Sequence, residues 1–328
     1  MLTKALRWIL ASALGVCVIA TGWYLLQAYP LGGPGRLVSV TVQPGDSLAT
    51  IAGKLHSKGV IASPFAFRLD LILGAPTVFP GTYRFHQNSS FAAVKGVLSA
   101  PLITVVPGLT LHEVALQVAA REGATYADHF VTDATAAAAT SPFHPDGSLE
   151  GLIAAGQYRI TPQTTPQRLL SEMTAAFSAQ AAALGLTPST TRDGLNAYQL
   201  IIAASIVDKE GYIPRNMPKV ARVIFNRLAR GGPLQMDATV LYALGMDGGT
   251  VTHAMLQTKS PYNTYLVNGL TPTPICTVSA DAIKAVLNPP PGPWLYFVVV
   301  DPSGTEAFAT TFAQQLANER RAVTNGFG

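Results

Sequence analysis

From Trp8 to Ala28 the chain carries no charged residue, and this apolar stretch is long enough to cross a bilayer as one helix. Such a segment constrains everything after it, because the rest must fold on one side of a membrane or be freed from it by cleavage. Lys4 and Arg7 lie before the stretch and put the N-terminal tip on the cytoplasmic side. No small-x-small cleavage site comes after it, and the stretch runs directly into Tyr29-Pro30, so a retained anchor is favoured over a signal peptide. Val16 stands before Cys17 where a lipoprotein would need a small residue. The expected layout is a cytoplasmic tip and transmembrane anchor over residues 1–30 and a linker over 31–37. That linker is too short to let the next domain wander from the bilayer. The anchor is then single-pass in the cytoplasmic membrane, with everything beyond it on the periplasmic or cell-wall side.

The 328 residues can hold two or three domains with ample core. Cys17 and Cys276 give no disulfide framework. A net charge of +4 is spread without a basic block, which argues against nucleic acid and agrees with an acidic polymer or anionic membrane as neighbour. His112-Glu113 lacks the second His of a zinc protease helix, and the six histidines do not cluster, so neither metal nor cofactor is expected. There is also no phosphate loop and no Gly-x-Ser-x-Gly elbow.

Two phrases recur. Val38 to Val42 alternates like a strand, Pro44-Gly45-Asp46-Ser47 turns the chain, and Leu48 to Leu55 has helical spacing with Asp46 or Ser47 as cap; a second helix is expected over 64–73. Later, Ile103 to Val106, Pro107-Gly108-Leu109-Thr110-Leu111 and Glu113 to Ala120 repeat the pattern. Gly81-Thr82-Tyr83-Arg84-Phe85 is echoed by Gly156-Gln157-Tyr158-Arg159-Ile160. Two related half-modules, 38–100 and 101–190, explain both echoes, although so common a phrase can also recur by chance. The turn looks like that of LysM-type glycan-binding modules. Residues 127–147, rich in Ala, Thr and Asp before a Pro/Gly turn, read as an insertion or loop in the second half-module. A polar stretch ending near Asn196 then opens a final domain over 191–328. The fold class is α+β.

That last domain contains an apolar helix closing on Asp208-Lys209-Glu210-Gly211, in a chain only 12% charged. Glu210 shares a face with Leu200, Ala203 and Val207, and Gly211 ends the helix, so burial and the unpaired terminal carbonyls both push its carboxyl pKa upward. Asp208 lies roughly opposite, and spacing alone leaves open whether either acid is more than a solvated helix end.

Together with four downstream motifs, the helix carries a resemblance. Ala204 to Glu210, Val220 to Leu228, Leu234-Gln235-Met236-Asp237-Ala238-Thr239-Val240-Leu241-Tyr242, Ser260-Pro261-Tyr262-Asn263-Thr264-Tyr265 and Leu295-Tyr296-Phe297-Val298 resemble, in order, the endolytic murein transglycosylase family, called MltG or YceG-like. The family has an N-terminal anchor, a LysM-like module and a catalytic Glu that matches Glu210. Asp208 stands where the family has another Glu, and Leu149 to Tyr158 departs from its usual Phe-Pro-Asp-Thr.

The resemblance implies cleavage of the β-1,4 bond between N-acetylmuramic acid (MurNAc) and N-acetylglucosamine (GlcNAc), leaving a 1,6-anhydro end. Glu210 would be acid and then base. Gln235, Asp237, Thr239, Tyr262, Asn263 and Tyr265 offer the hydrogen bonds and flat faces that suit sugar rings and are expected in the glycan cleft, although each taken singly could be a turn, cap or core residue. Arg227 could meet muramoyl or peptide carboxylates, whereas Arg222 suits an exposed helix face. Asp208, Asn226 and Tyr158 are expected in support. Glycan strands are the implied substrate and peptidoglycan synthases the implied partners. The competing reading is a non-catalytic, membrane-anchored wall-binding or scaffold protein.

Overall fold

The computed structural model describes residues 4–72, 74–76, 78, 80–99, 102–136, 140–144, 147–160, 164–211 and 213–326. The side chains of Lys4 and Arg7, and Pro145 and Asp146 of the expected turn, lie outside the described residues. The chain divides into two compact units, Met1–Pro101 and Leu102–Gly328.

In the first unit, α1 (Lys4–Ala28) includes the apolar segment Trp8–Ala28, with a mean hydropathy of 2.0. β1 (Leu37–Val42) pairs antiparallel with β2 (Gly81–His86), placing Val38 opposite Phe85 and Val40 opposite Tyr83. The two-residue period sends Val40, Val42, Tyr83 and Phe85 inward, onto α2 (Leu48–Ser57), α3 (Pro64–Ile72) and α4 (Phe91–Leu98). Ser47 is the cap of α2, its hydroxyl accepting from the Thr50 N–H. Asp46 instead accepts from the Gln43 N–H at 2.7 Å and from Lys54 Nζ at 2.5 Å.

The second unit begins with the same order of elements. β3 (Leu102–Val105) is followed by α5 (Leu111–Glu122), α6 (Ala124–Thr135), β4 (Gly156–Arg159) and α7 (Pro166–Ala183), with Ile103 opposite Tyr158 in an antiparallel pair. α6 corrects the expectation of a loop from residue 127: Ala127, Phe130 and Ala134, spaced three and four apart, are buried on one helical face. The high Ala and Thr content hides an amphipathic helix.

β5 (Thr191–Arg192) and β6 (Leu195–Asn196) form a hairpin around Asp193 (φ 49°) and Gly194 (φ 84°), the left-handed pair that a two-residue hairpin needs. Asn196 and Gln199 then cap α8 (Ala197–Glu210) reciprocally. Leu200 to Val207 are buried without exception, so α8 is the central helix of the unit. Around it pack α9 (Met217–Ala229), α10 (Asp237–Ala243) and α11 (Ala280–Leu287). A second ribbon, β7 (Tyr296–Val299) with β8 (Glu306–Ala309), and α12 (Phe312–Thr324) complete the chain. Among the described residues all strand pairs are two-stranded and antiparallel, giving a mixed helix-and-sheet architecture.

Candidate functional site

A helix buried on every side delivers its acids only where it ends. Glu210 is the last residue of α8, and the Gly211 N–H still bonds to Val207 O at 2.8 Å. Gly211 has an ordinary φ of −74°, so its conformation does not require glycine; space does. A Cβ there would lie 2.7 Å from Met217 Cγ and 2.8 Å from Val207 O. The missing side chain lets α9 begin directly against the end of α8 and keeps the Glu210 side chain at the junction.

Glu210 Oε1 accepts from the Ala238 N–H at 3.0 Å. Burial raises its carboxyl pKa from an ordinary 4.5 to about 7. The charge of Asp237 adds to the rise, while the Ala238 hydrogen bond and the Arg227 guanidinium oppose it. Asp237 is exposed and accepts from Tyr265 Oη at 2.6 Å. Gln235 beside it is exposed and held in a left-handed conformation, φ 52°, with its N–H on Thr264 O at 2.9 Å. Left-handed backbone in a residue other than glycine is costly and is tolerated where the surroundings enforce it. Arg227 donates from Nε to Leu295 O at 2.7 Å and from Nη1 to Leu234 O, and its guanidinium lies 5.4 Å from the Tyr296 ring centroid. Glu210, Asp237, Tyr265 and Arg227 thus form one electrostatically coupled group, with Gln235 at its edge.

Other expected cleft residues serve the backbone instead. Asn263 is fully buried; its amide donates to Leu256 O and Thr258 O at 3.0 and 2.8 Å, and its carbonyl accepts from the Tyr265 N–H. Thr239 is equally buried and bonds to Met236 O and the Thr264 hydroxyl. These two hold Gln235 and Tyr265 in place, and their polar atoms are already committed. Tyr262 belongs to a neighbouring cluster, its hydroxyl 2.9 Å from that of Thr273 and its ring 4.9 Å from that of Tyr242. Asn226 donates to Gly292 O and Trp294 O, and buried Tyr158 donates to Ala154 O. Arg222, expected on an exposed face, instead bonds to Pro290 O and Pro289 O, because α9 carries the segment before β7.

Asp208 faces the other way from Glu210. Its oxygens accept from the Ser279 N–H at 2.6 Å and the Ser279 hydroxyl at 2.7 Å, fastening the start of α11 to α8. Burial raises its carboxyl to about 6, against those two hydrogen bonds. Cys276 is fully buried, its Sγ 3.3 Å from Ser205 O.

Two acids escape the sequence reading. Glu150 is buried at the base of the segment before β4, accepting from the Leu111 N–H at 3.1 and 3.2 Å and from Tyr242 Oη at 3.2 Å; burial raises it to about 7. Glu306 is buried in β8 with neither carboxyl oxygen in a hydrogen bond among the described residues. Burial raises it to about 8; Asn216, whose amide donates to Gly304 O at 2.8 Å, opposes the rise, and the nearby charge of Glu210 reinforces it. A carboxyl so placed is held neutral. Glu150 stands beside the apolar Leu152-Ile153-Ala154-Ala155, a faint version of the signal that marks Glu210, whereas Glu306 follows the polar turn at 301–305 and carries no such signal.

The family model described as YceG-like matches residues 40–321. Over 314 residues the chain is 27% identical to an endolytic murein transglycosylase of Bacillus subtilis, a match covering 88% of this chain and 85% of that protein. It is 37% identical over 156 residues to an endolytic murein transglycosylase of Streptococcus pneumoniae, across 46% of this chain and 28% of that protein. The crystal structure of a YceG-like protein from Listeria monocytogenes has the same fold, with a TM-score of 0.58 at 24% identity, covering 86% of this chain and 99% of that one. With the family model spanning most of its length, the chain belongs to the YceG-like family.

Proposed function

We propose that the protein is an endolytic peptidoglycan lytic transglycosylase that cleaves the MurNAc-β-1,4-GlcNAc bond of nascent strands and so ends their elongation. Glu210 is the proposed acid/base, and the observation that carries this is its carboxyl raised to about 7 beside a polar group made of exposed Asp237 and Gln235 and half-buried Tyr265. A group titrating near neutrality can both give and take a proton. Protonated Glu210 donates to the glycosidic oxygen as the C1–O bond breaks, and GlcNAc leaves. The muramoyl C6 hydroxyl then bonds to C1 and returns its proton to Glu210, so no water is consumed and one carboxyl suffices where a hydrolase uses two. Gln235, Asp237, Tyr265 and Arg227 would orient the sugars.

The repeated strand–helix–helix–strand order supports reading residues 38–100 and 101–190 as two LysM-like half-modules. We place the protein in the cytoplasmic membrane by Trp8–Ala28, its C-terminal part outside, beside the synthases that supply new strands.

The test is to incubate the full chain in detergent with uncrosslinked glycan strands and weigh the products. Internal cuts ending in 1,6-anhydroMurNAc are expected. Intact strands, as a pure scaffold would leave, or reducing ends would overturn the reading. In the same assay Asp208→Asn should retain measurable turnover while losing about 1 kcal/mol of stability, since its two hydrogen bonds are to Ser279. Complete inactivity of a folded Asp208→Asn protein would move the proton donor to Asp208.

A further inference from the structure

The end of α1 is not free. Ala28 is buried in the core of the first unit, and Tyr24 Oη donates to Asp70 Oδ1 at 2.5 Å, with Lys95 closing on Asp70 Oδ2 at 2.7 Å. The Tyr24 ring packs against Phe91 with centroids 6.3 Å apart, and the Trp23 ring against Phe65 at 6.4 Å. The polar tip of an interfacial tyrosine is therefore satisfied by protein, and α3 lies beside the last turns of the apolar segment.

Starting from that contact, α3 presents Phe65, Leu69 and Ile72, spaced four and three apart on one face, and they are 68%, 44% and 79% exposed. Leu48 of α2, at 38%, borders them across a groove of about 440 Å³, and exposed Arg68 lines the same groove. A contiguous apolar patch with a basic rim needs a partner, and its position selects one. Trp23 is five residues before the end of the segment, roughly 7 Å along the helix axis. A ring touching Trp23 is then about as deep as amphipathic elements sit in a headgroup boundary, roughly 5–10 Å.

We propose that Phe65, Leu69 and Ile72 of α3, with Leu48 of α2, form a lipid-contacting surface that sinks into the leaflet at the C-terminal end of α1. Arg68 lies at the level of the lipid phosphates. The first unit is thereby held against the bilayer by a second attachment besides the span itself. This rests on the reading of α1 as a membrane anchor.

The experiment uses the full chain in phosphatidylcholine–phosphatidylglycerol vesicles. An environment-sensitive fluorophore is attached to native Cys17, or to Ile72→Cys, Leu69→Cys or Arg84→Cys in a Cys17→Ser background; buried Cys276 stays unlabelled. Probes at 69 and 72 should lose about twofold or more of their emission to lipids brominated near the headgroup and resist aqueous iodide, whereas the probe at exposed residue 84 should do the reverse. If the Cys17 probe is quenched by lipids brominated deep in the acyl chains while residue 72 is as open to iodide as residue 84, the surface proposal falls and the anchor stands. If Cys17 is not quenched, the anchor reading fails and the proposal with it.

Discussion

Glu210→Gln should cut turnover by about a hundred- to ten-thousand-fold, the range expected for losing a positioned proton donor, and should make the fold more stable above neutral pH. The sign comes from the direction of the shift. The carboxyl titrates near 4.5 when unfolded and near 7 when folded. Below the lower value both states hold the proton and the group costs nothing. Between the two the unfolded chain releases its proton while the folded chain keeps it, so stability falls as pH rises. Above the folded value both are ionised and the loss is complete, at most on the order of 3 kcal/mol. Glutamine never ionises and escapes it. Native and variant proteins should therefore unfold at similar temperatures near pH 4, and the variant at a higher temperature near pH 8. A variant less stable than the native chain at pH 8 would mean that ion pairing holds the carboxylate, removing the basis for calling Glu210 a neutral acid. Asp208, Glu150 and Glu306 are raised in the same sense, to about 6, 7 and 8, so the native fold should weaken from pH 4 towards pH 8.

Gly151→Ala should be among the most destabilising single-methyl additions in the chain. Gly151 has φ +70°, and a Cβ there would lie 2.3 Å from Pro274 Cβ and 3.0 Å from Cys276 O. Left-handed strain of about 1–2 kcal/mol and overpacking of about 1–3 kcal/mol add to roughly 3 kcal/mol. For a unit of this size that lowers the melting temperature by about 6–12 °C. Glu150, the next residue, joins Leu111 to Tyr242, so the displacement should also reduce turnover. Gly185→Ala is the control: its φ is +89° with nothing within 4 Å of the added carbon, leaving only the conformational cost. Scanning calorimetry on both separates the terms, and equal falls would show that the 151–274 contact relaxes without penalty.

How much of the structure is legible in the sequence depends on how local each signal is. α8 can be read because its cap, its apolar run and its closing acids lie within one stretch, Asn196 to Gly211. The ordered motifs point to Glu210 because the family match is itself a linear pattern. The neighbours of the acid are less legible. Asn263 and Thr239 are polar, lie beside aromatic residues and suit sugars, yet their atoms are spent on nearby carbonyls in irregular loop backbone and, for Thr239, on the distant Thr264 hydroxyl, a geometry that residue type alone does not reveal. Glu150 carries only a faint local signal and Glu306, which follows a polar turn, carries none; their meaning depends on Leu111, Tyr242 and Asn216, which are distant in the chain. α6 is hidden because small residues make an amphipathic face look like low-complexity sequence.

The Asp208–Ser279 joint also limits which single changes position 208 can accept. It is closed at 2.6 and 2.7 Å, with the α11 cap on one side and the buried helix on the other. Asp208→Glu would push an extra methylene into that closed gap, and α11 would have to back away. Positions 208 and 279 therefore behave as one joint: a longer side chain at 208 is accommodated only if the start of α11 moves with it.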